Sequence, residues 1–196
     1  MEEQNIKPEE SLQIIQSMIN RAQNNLSENG FLFIFWGWLV FLSAAAFYVL
    51  IKMDNEYAGL AWLGMPAGGI FTMIYSIRKN KKEKVKSYID NYMAFVWIAF
   101  GAGLLITLSM GPKLQLGCYP MVIMLYAIVT FITGGIIRFT PLIVCGAMSF
   151  PISVFAFFVG FENQVILLAL SVLVSYIVPG HLLQAKFKSH GTTQRA

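Results

Sequence analysis

Residues 31–51 read FLFIFWGWLVFLSAAAFYVLI, and this stretch decides the fold. It contains no Asp, Glu, Lys or Arg, and it is as long as the roughly 20 apolar residues with which an α-helix crosses the hydrocarbon core of a bilayer. Five further charge-free apolar stretches follow it, at residues 58–77, 92–110, 119–137, 141–161 and 164–183. The sequence therefore predicts an all-α membrane protein with six transmembrane helices, which occupy residues 31–183.

The composition also indicates a protein that is surrounded by lipid. Hydrophobic residues make up 57% of the 196-residue chain and charged residues 12%, whereas soluble domains carry about 25% charged residues. A soluble fold would expose large apolar patches and aggregate, so lipid is the expected surroundings. The first ten residues, MEEQNIKPEE, are acidic, and no apolar stretch precedes Phe31, so we expect no cleaved export signal.

The connections between the predicted helices are short. Short connections make consecutive helices antiparallel neighbours, so we expect three antiparallel hairpins. The apolar runs are continuous, whereas a membrane β-barrel would show segments of about 10 residues that alternate apolar and polar positions. A helical bundle is therefore favoured over a barrel.

The basic run RKNKKEKVK at residues 78–86 connects the second and third predicted helices. If both termini are cytoplasmic, twelve of the fourteen Lys and Arg residues lie on the cytoplasmic side, as the positive-inside rule requires. The run is interpreted as a topology signal that also attracts anionic lipid headgroups. Glu83 and the shortness of the run argue against nucleic acid as a partner. Its six cations are Arg78, Lys79, Lys81, Lys82, Lys84 and Lys86.

The predicted membrane segments lack the residues that most membrane catalysts and ion carriers need. No acidic or basic residue other than His181 lies in them, and no catalytic, phosphate-binding or metal-binding motif occurs in the chain. We therefore expect no enzyme activity, no cofactor and no metal, and His181 is interpreted as an interfacial polar residue. Cys118 and Cys145 fall at opposite ends of their helices, about 25 Å apart in depth, so no disulfide is expected between them. The Ser and Thr hydroxyls are expected to bond within or between helices.

Three prolines are candidate kinks or gating points: Pro66, Pro151 and Pro179. Proline inside a helix removes a backbone hydrogen bond, and membrane helices accommodate it readily, so irregular packing is favoured over a gate. Pro179-Gly180 is expected to weaken the sixth helix before the basic tail at residues 184–196. Small-residue clusters at 67–69, 101–103 and 133–135 are expected to allow close helix approach.

Residues 8–27 predict an amphipathic cytoplasmic helix, with a turn or hinge at Asn29-Gly30. Its apolar stripe recurs at spacings of three and four residues. The stripe has few cations beside it, which disfavours simple adsorption to lipid. Docking on the protein's own bundle or membrane surface and docking on a protein partner or second copy both stay open. The stripe consists of Leu12, Ile15, Ile19, Ala22 and Leu26.

Three segments, FWGWLVFL (35–42), GGIIRFTPLIVCGAM (134–148) and SYIVPGHLL (175–183), resemble a group of small, uncharacterised multi-pass inner-membrane proteins of bacteria that carry a short amphipathic N-terminal helix. The resemblance covers most of the chain, and its motifs lie at helix borders. It implies the bacterial cytoplasmic membrane as the location. It implies no activity and no site residues.

Three functions remain open from the sequence. The first is a non-enzymatic scaffold, accessory or sensor subunit that engages a partner through its N-terminal helix. The second is a transporter or permease-like subunit for an uncharged or amphipathic solute, which a ligand-sized cavity near the three prolines would favour. The third, an intramembrane enzyme, would need His181 and several hydroxyls to converge on one cleft.

Overall fold

A computed structural model describes the backbone of residues 8–82 and 88–193 and the side chains of residues 30–78 and 92–186. Every regular element in these ranges is helical. Five helical stretches are long and apolar enough to cross a membrane. These are Gly30–Lys52, Ala58–Arg78, Tyr92–Ser109, Gly111–Ile137 and Phe161–Lys186. A sixth apolar helix, Thr140–Ala156, has 17 residues, so six apolar helices lie where the sequence predicts them.

The first helix, α1 (Pro8–Lys52), is one continuous helix of 45 residues. The predicted turn at Asn29-Gly30 is wrong, because the helix runs through both residues without a break. Gly30 lies where α1 meets the C-terminal helix, and a Cβ there would be 3.3 Å from the Gln184 side chain and 3.5 Å from the Gly180 carbonyl oxygen. The glycine thus serves close helix packing and not a change of direction. The stripe side chains at residues 12–26 lie outside the described side chains.

The second span begins with a 3₁₀ helix, Ala58–Leu63, and continues as α2 (Gly64–Lys82). Pro66 therefore lies in the first turn of α2, where a missing N–H breaks no intrahelical hydrogen bond, and not in the interior as predicted. Helix α2 also extends into the basic run as far as Lys82, five residues past its predicted end at Ile77. Lys84 and Lys86 lie outside the described residues.

The third and fourth spans are α3 (Tyr88–Ser109) and α5 (Cys118–Ile137). The connection between them is not a loop as predicted, because it forms a short helix, α4 (Gly111–Leu114), and a 3₁₀ turn, Gln115–Gly117. Cys118 begins α5, as predicted, and both cysteines are free.

The fifth span, α6 (Thr140–Ala156), is shorter than the predicted 141–161. It ends early because the buried Gln164 amide group donates hydrogen bonds to the carbonyl oxygens of Ala156 (3.0 Å) and Val159 (3.2 Å), and also to that of Leu116 (2.7 Å). Carbonyl groups at a helix end need such partners when they are buried. Phe161 consequently belongs to the last helix and not to the fifth.

The last helical run consists of α7 (Phe161–Val172), a π-helical segment (Leu173–Ile177) and α8 (Val178–Thr193). The chain is not broken at Pro179-Gly180. Instead the π segment, in which the Val178 N–H bonds to the Leu173 carbonyl oxygen, widens the turn directly before Pro179. A wider turn relieves the clash between a proline ring and the carbonyl group one turn earlier.

The contacts between helices extend beyond the three predicted hairpins. The most extensive contact joins α5 to α6, and α1 packs mainly on α7 and α8. The α5–α6 backbones come unusually close, since a Cβ on Gly134 would lie 2.7 Å from the Ile143 nitrogen and one on Gly146 would lie 2.6 Å from the Phe131 nitrogen. Helix α3 packs on α5. In the described residues, the only other long helix on which α2 packs substantially is α1. The centre of the bundle is therefore α1, α5, α6 and the last helix.

Some hydroxyl groups in the spans bond to the carbonyl group one turn earlier, as predicted, whereas the buried hydroxyl groups of Thr133 and Ser171 have no partner in the described part of the chain. Thr72, Thr107, Ser149 and Ser175 each donate to the carbonyl oxygen four residues before them. At one end of the bundle Lys52 pairs with Glu162 and so joins the end of α1 to the start of α7. Both side chains are half exposed, and such exposed pairs contribute little to stability.

Candidate functional site: a lateral cleft between α2 and α3

A cavity of about 1200 Å³ lies between α2 and α3, with α1, α5 and the last helix behind it. We call it the cleft. One end of it, the Gln115 end, lies at the same end of the bundle as Lys52 and Glu162. The other, the Ser76 end, lies at the end of α2 that leads into the basic run. The cleft exists because α2 and α3 make no substantial contact with each other in the described parts of the chain.

An aromatic cluster borders the Gln115 end of the cleft. It consists of Phe47, Trp62, Tyr119 and Phe161, and we call it the four-ring cluster. The Tyr119 ring lies 5.4 Å from that of Phe161 and 6.3 Å from that of Trp62, while Phe47 contacts all three. The cluster thus joins α1, α5, α7 and the 3₁₀ helix before α2, and it closes the bundle at this end.

A second aromatic cluster borders the cleft deeper in the bundle. Its rings contact one another in a closed cycle, with centroid distances of 6.3, 5.8, 5.2, 5.0 and 4.9 Å. Such separations suit tilted and edge-to-face aromatic pairs. We call it the five-ring cluster, and in cyclic order its members are Phe33, Trp97, Phe100, Tyr126 and Tyr176. It links α1, α3, α5 and the π segment around one side of the cleft.

The π segment and two glycines place Tyr176 in this cluster. A Cβ on Gly37 would lie 3.1 Å from the Tyr176 Cβ, and one on Gly180 would lie 2.8 Å from the Ile34 side chain. Helix α1 and the last helix therefore approach closely on either side of Tyr176. Its ring is almost completely buried, and its hydroxyl group is sealed from accessible space without a hydrogen-bond partner in the described part of the chain. π segments inside α-helices occur often at functional sites.

Aliphatic side chains line the cleft between the two aromatic clusters, among them Val40, Leu104, Val122 and Leu168. No Asp, Glu, Lys, Arg or His lines the cleft within the described side chains. Those side chains also contain no group of three His, Cys, Asp or Glu residues that could hold a metal ion. The interior thus suits an uncharged, largely apolar molecule.

Most of the tryptophans border the cleft. Trp36, Trp62 and Trp97 line the cleft, and of the four tryptophans only Trp38, with 44% of its surface exposed, does not. Tryptophans of membrane proteins are enriched at the lipid–water borders. Trp36 and Trp97 instead lie several residues inside their spans and border a cavity.

Helix α2 is held against α1 by one hydrogen bond and by aromatic contacts. The Trp36 indole N–H donates to the Thr72 hydroxyl group at 3.1 Å, and that hydroxyl group donates in turn to the Gly68 carbonyl oxygen at 2.9 Å. The rings of Phe35 and Phe71 are 5.0 Å apart. Helix α2 is otherwise exposed, so it forms a thin wall of the cleft.

The three prolines do not come together. Pro66 lines the cleft, whereas Pro151 is exposed inside α6 away from it and Pro179 is buried in α8. The predicted cavity near all three is therefore present near Pro66 only. His181 is exposed and does not line the cleft.

The sequence interpretation missed the aromatic residues of the cleft. Two clues to them were visible: tryptophans lie well inside the predicted helices one and three, and Tyr126 and Tyr176 lie in the middle and last thirds of helices four and six. The predicted close approach of helices at small residues is confirmed at some of these positions and not at others. Gly134 allows close helix approach as predicted, but a Cβ on Gly69 or Gly101 would meet nothing within 4 Å, because both face the cleft.

Comparison with protein-family models, with curated proteins and with solved structures yields no match for this chain. The function is therefore argued from the geometry of the cleft.

Proposed function

We propose that this protein is a non-enzymatic membrane protein that binds an uncharged or amphipathic long-chain molecule in the cleft, as a permease-like or sensor subunit. The observation that carries the proposal is a large cavity that no described charged side chain lines, between two helices that make no substantial contact in the described residues. A charged group would be poorly stabilised inside such a cavity, because it would lack both water and a partner.

The size of the cleft favours a long ligand. Pockets for drug-sized molecules have volumes of about 300–1,000 Å³, and the cleft exceeds that range. Its aliphatic middle lies between two aromatic clusters, which suits a hydrocarbon chain lying along the helices. The bilayer supplies molecules of this kind, and entry between α2 and α3 would be lateral.

The N-terminal part of α1 supports a second function, that of a scaffold or accessory subunit. Residues 8–29, which we call the N-terminal arm, continue the first span as the same helix, and at 1.5 Å per residue they extend it by about 33 Å. A continuous helix couples the position of the bundle to the position of the molecule that the arm contacts. We propose a protein partner or a second copy of this chain as that contact.

We also propose that both termini are cytoplasmic and that the membrane is the bacterial inner membrane. The support is the distribution of Lys and Arg, together with the orientation that the basic run would fix. Accessibility of a terminal epitope tag in right-side-out spheroplasts checks the orientation, and a tag accessible from outside would overturn it.

Filling the cleft tests the proposed binding. Gly101→Phe places a large side chain in open space inside the cleft, and Gly135→Phe is its control, because Gly135 is equally unobstructed but does not line the cleft. Both are made in a Trp38→Phe background, so that the remaining tryptophans all border the cleft. The protein is placed in nanodiscs of dioleoylphosphatidylcholine and titrated with methyl dibromostearate, whose bromine atoms quench tryptophan fluorescence.

We expect quenching to saturate at a low mole fraction of the ester in the Trp38→Phe protein and in the Gly135→Phe variant. The Gly101→Phe variant should show only a linear rise, which is the signature of random contacts in the bilayer. If quenching saturates with equal affinity in both glycine variants, the cleft is not the binding site. The same conclusion follows if quenching saturates in none of the three proteins.

A further inference from the structure

We infer that the ligand carries an uncharged hydrogen-bond acceptor, a carbonyl or ester oxygen, which Trp97 and Tyr126 bind beside the five-ring cluster. This inference rests on the proposed function and adds the chemical class of the ligand and its orientation. The polar end lies at the five-ring cluster, and the hydrocarbon chain runs towards the Gln115 end.

Trp97 supplies the first donor. Its indole N–H makes no hydrogen bond within the described part of the chain, although Trp97 lines the cleft and packs between Phe33 and Phe100. The indole nitrogen of Trp97 is not sealed inside the bundle, so it borders accessible space. Indole N–H groups usually find an acceptor when they are removed from water.

Tyr126 supplies the second donor. Only 6% of its surface is exposed, and it lines the cleft. Its hydroxyl group has no partner in the described part of the chain, yet it is not sealed from accessible space as the Tyr176 hydroxyl group is. The Phe100 ring contacts both Trp97 and Tyr126, at 5.8 and 5.2 Å, so the two donors lie in the same part of the cleft.

The donor set determines the ligand chemistry. An indole N–H can only donate, and a tyrosine hydroxyl group can donate while its ring stays in the cluster. Among the described side chains, no cation lines the cleft to balance a carboxylate or phosphate group, and no carboxylate lines it to accept from an amine. A neutral carbonyl or ester oxygen satisfies both donors without placing a net charge in the bilayer.

The test uses three probes with the same brominated chain: methyl dibromostearate, dibromostearate and dibromooctadecane. Each is titrated into nanodiscs of dioleoylphosphatidylcholine that hold the Trp38→Phe protein, and tryptophan quenching is measured. The variant Tyr126→Phe removes one donor. Tyr119→Phe makes the same substitution at the Gln115 end of the cleft and reports the orientation of the ligand. Tyr92→Phe is the control, because it is the same substitution at an exposed residue that does not line the cleft.

We expect the ester to bind more tightly than the alkane or the carboxylate. Tyr126→Phe should weaken ester binding about fivefold, the effect of one hydrogen bond of about 1 kcal/mol, and leave alkane binding unchanged. Unchanged alkane binding also shows that the variant is folded. Tyr92→Phe should leave ester binding unchanged, and Tyr119→Phe should weaken it less than Tyr126→Phe does.

Other outcomes overturn separate claims. Saturable binding in which ester and alkane have equal affinity, with no effect of Tyr126→Phe, contradicts the assigned acceptor and leaves the cleft as a binding site. Tighter binding of the carboxylate contradicts the neutral ligand. A loss of ester affinity in Tyr119→Phe and not in Tyr126→Phe reverses the orientation. Absence of saturation with every probe contradicts the proposed function itself.

Discussion

Gly134 and Gly135 are neighbours in sequence but have different surroundings. A Cβ on Gly134 would lie 2.7 Å from the Ile143 nitrogen and 3.0 Å from the Leu142 carbonyl carbon, both of them backbone atoms of α6. A Cβ on Gly135 would meet nothing within 4 Å. Backbone atoms cannot move aside as a flexible side chain can, so only Gly134 is required for the contact between α5 and α6.

Gly134→Ala is therefore expected to destabilise the bundle, and Gly135→Ala is not. Overpacking of a close contact costs about 1–3 kcal/mol. The measurement is the midpoint of thermal unfolding of the purified protein in a mild detergent, with both variants compared with the parent. Equal midpoints for the two alanine variants would show that α5 and α6 are not in such close contact.

At the residue scale, the sequence predicts hydrogen bonds within a helix better than it predicts which residues line the cleft. Thr72, Thr107, Ser149 and Ser175 bond within their own helices as expected, because such a bond needs only the carbonyl group one turn earlier. The role of Tyr126 could not be predicted, since it depends on which residues of three other helices face it. The same holds for Trp97.

At the scale of the helix, hydrophobicity and length predict the existence of the spans but not their ends. Six apolar helices lie where they are predicted, because lipid requires the backbone groups of each span to bond within it. The end of α6 at Ala156 is set instead by Gln164 of the next helix, a tertiary contact. The continuity of α1 through Asn29-Gly30 likewise reflects packing on α8, which local turn propensity does not include.

The N-terminal arm gives a prediction at this scale. Ile15→Glu with Ile19→Glu places two charges on the apolar stripe, and Gln16→Glu with Gln23→Glu places the same charges off the stripe. If the stripe contacts a partner or a second copy, the first pair should abolish chemical crosslinks from the arm in native membranes and the second pair should preserve them. The measurement is crosslinking of the full chain followed by mild-detergent purification.

Crosslinked species that are unchanged in the Ile15→Glu and Ile19→Glu variant would contradict a contact through the stripe. A purely monomeric parent protein would contradict the scaffold function altogether. Neither result bears on the cleft, which lies on the other side of Gly30 along α1.

At the scale of the whole molecule, the arrangement of the helices was not predictable from the sequence. Hydrophobicity does not decide which helix faces meet in lipid, because the lipid tails are as apolar as the side chains. The strongest contact joins α5 to α6 across two predicted hairpins, and α2 stays at the edge. That peripheral position of α2 creates the cleft, so the site arises from the arrangement and not from any single motif.

The thin wall formed by α2 is consistent with lateral exchange of a ligand. The Trp36–Thr72 hydrogen bond, a few aromatic contacts and the close packing of Gly68 on Leu39 hold it to α1, and no substantial contact with α3 closes the other side in the described residues. A ligand in the cleft would add the apolar contacts that α2 lacks. Binding and closure of α2 would then be coupled.

The central claim is that the cleft holds a long neutral molecule, and the two native cysteines test it most directly. Cys118 lines the cleft near the Gln115 end, whereas Cys145 is also partly exposed but does not line it. The unmodified protein in nanodiscs of dioleoylphosphatidylcholine is treated with N-ethylmaleimide, with and without methyl oleate, and modification of each cysteine is followed by mass spectrometry. We predict that methyl oleate slows modification of Cys118 several-fold and leaves that of Cys145 unchanged. Equal rates at Cys118 with and without the ester, or equal slowing at both cysteines, would contradict binding in the cleft.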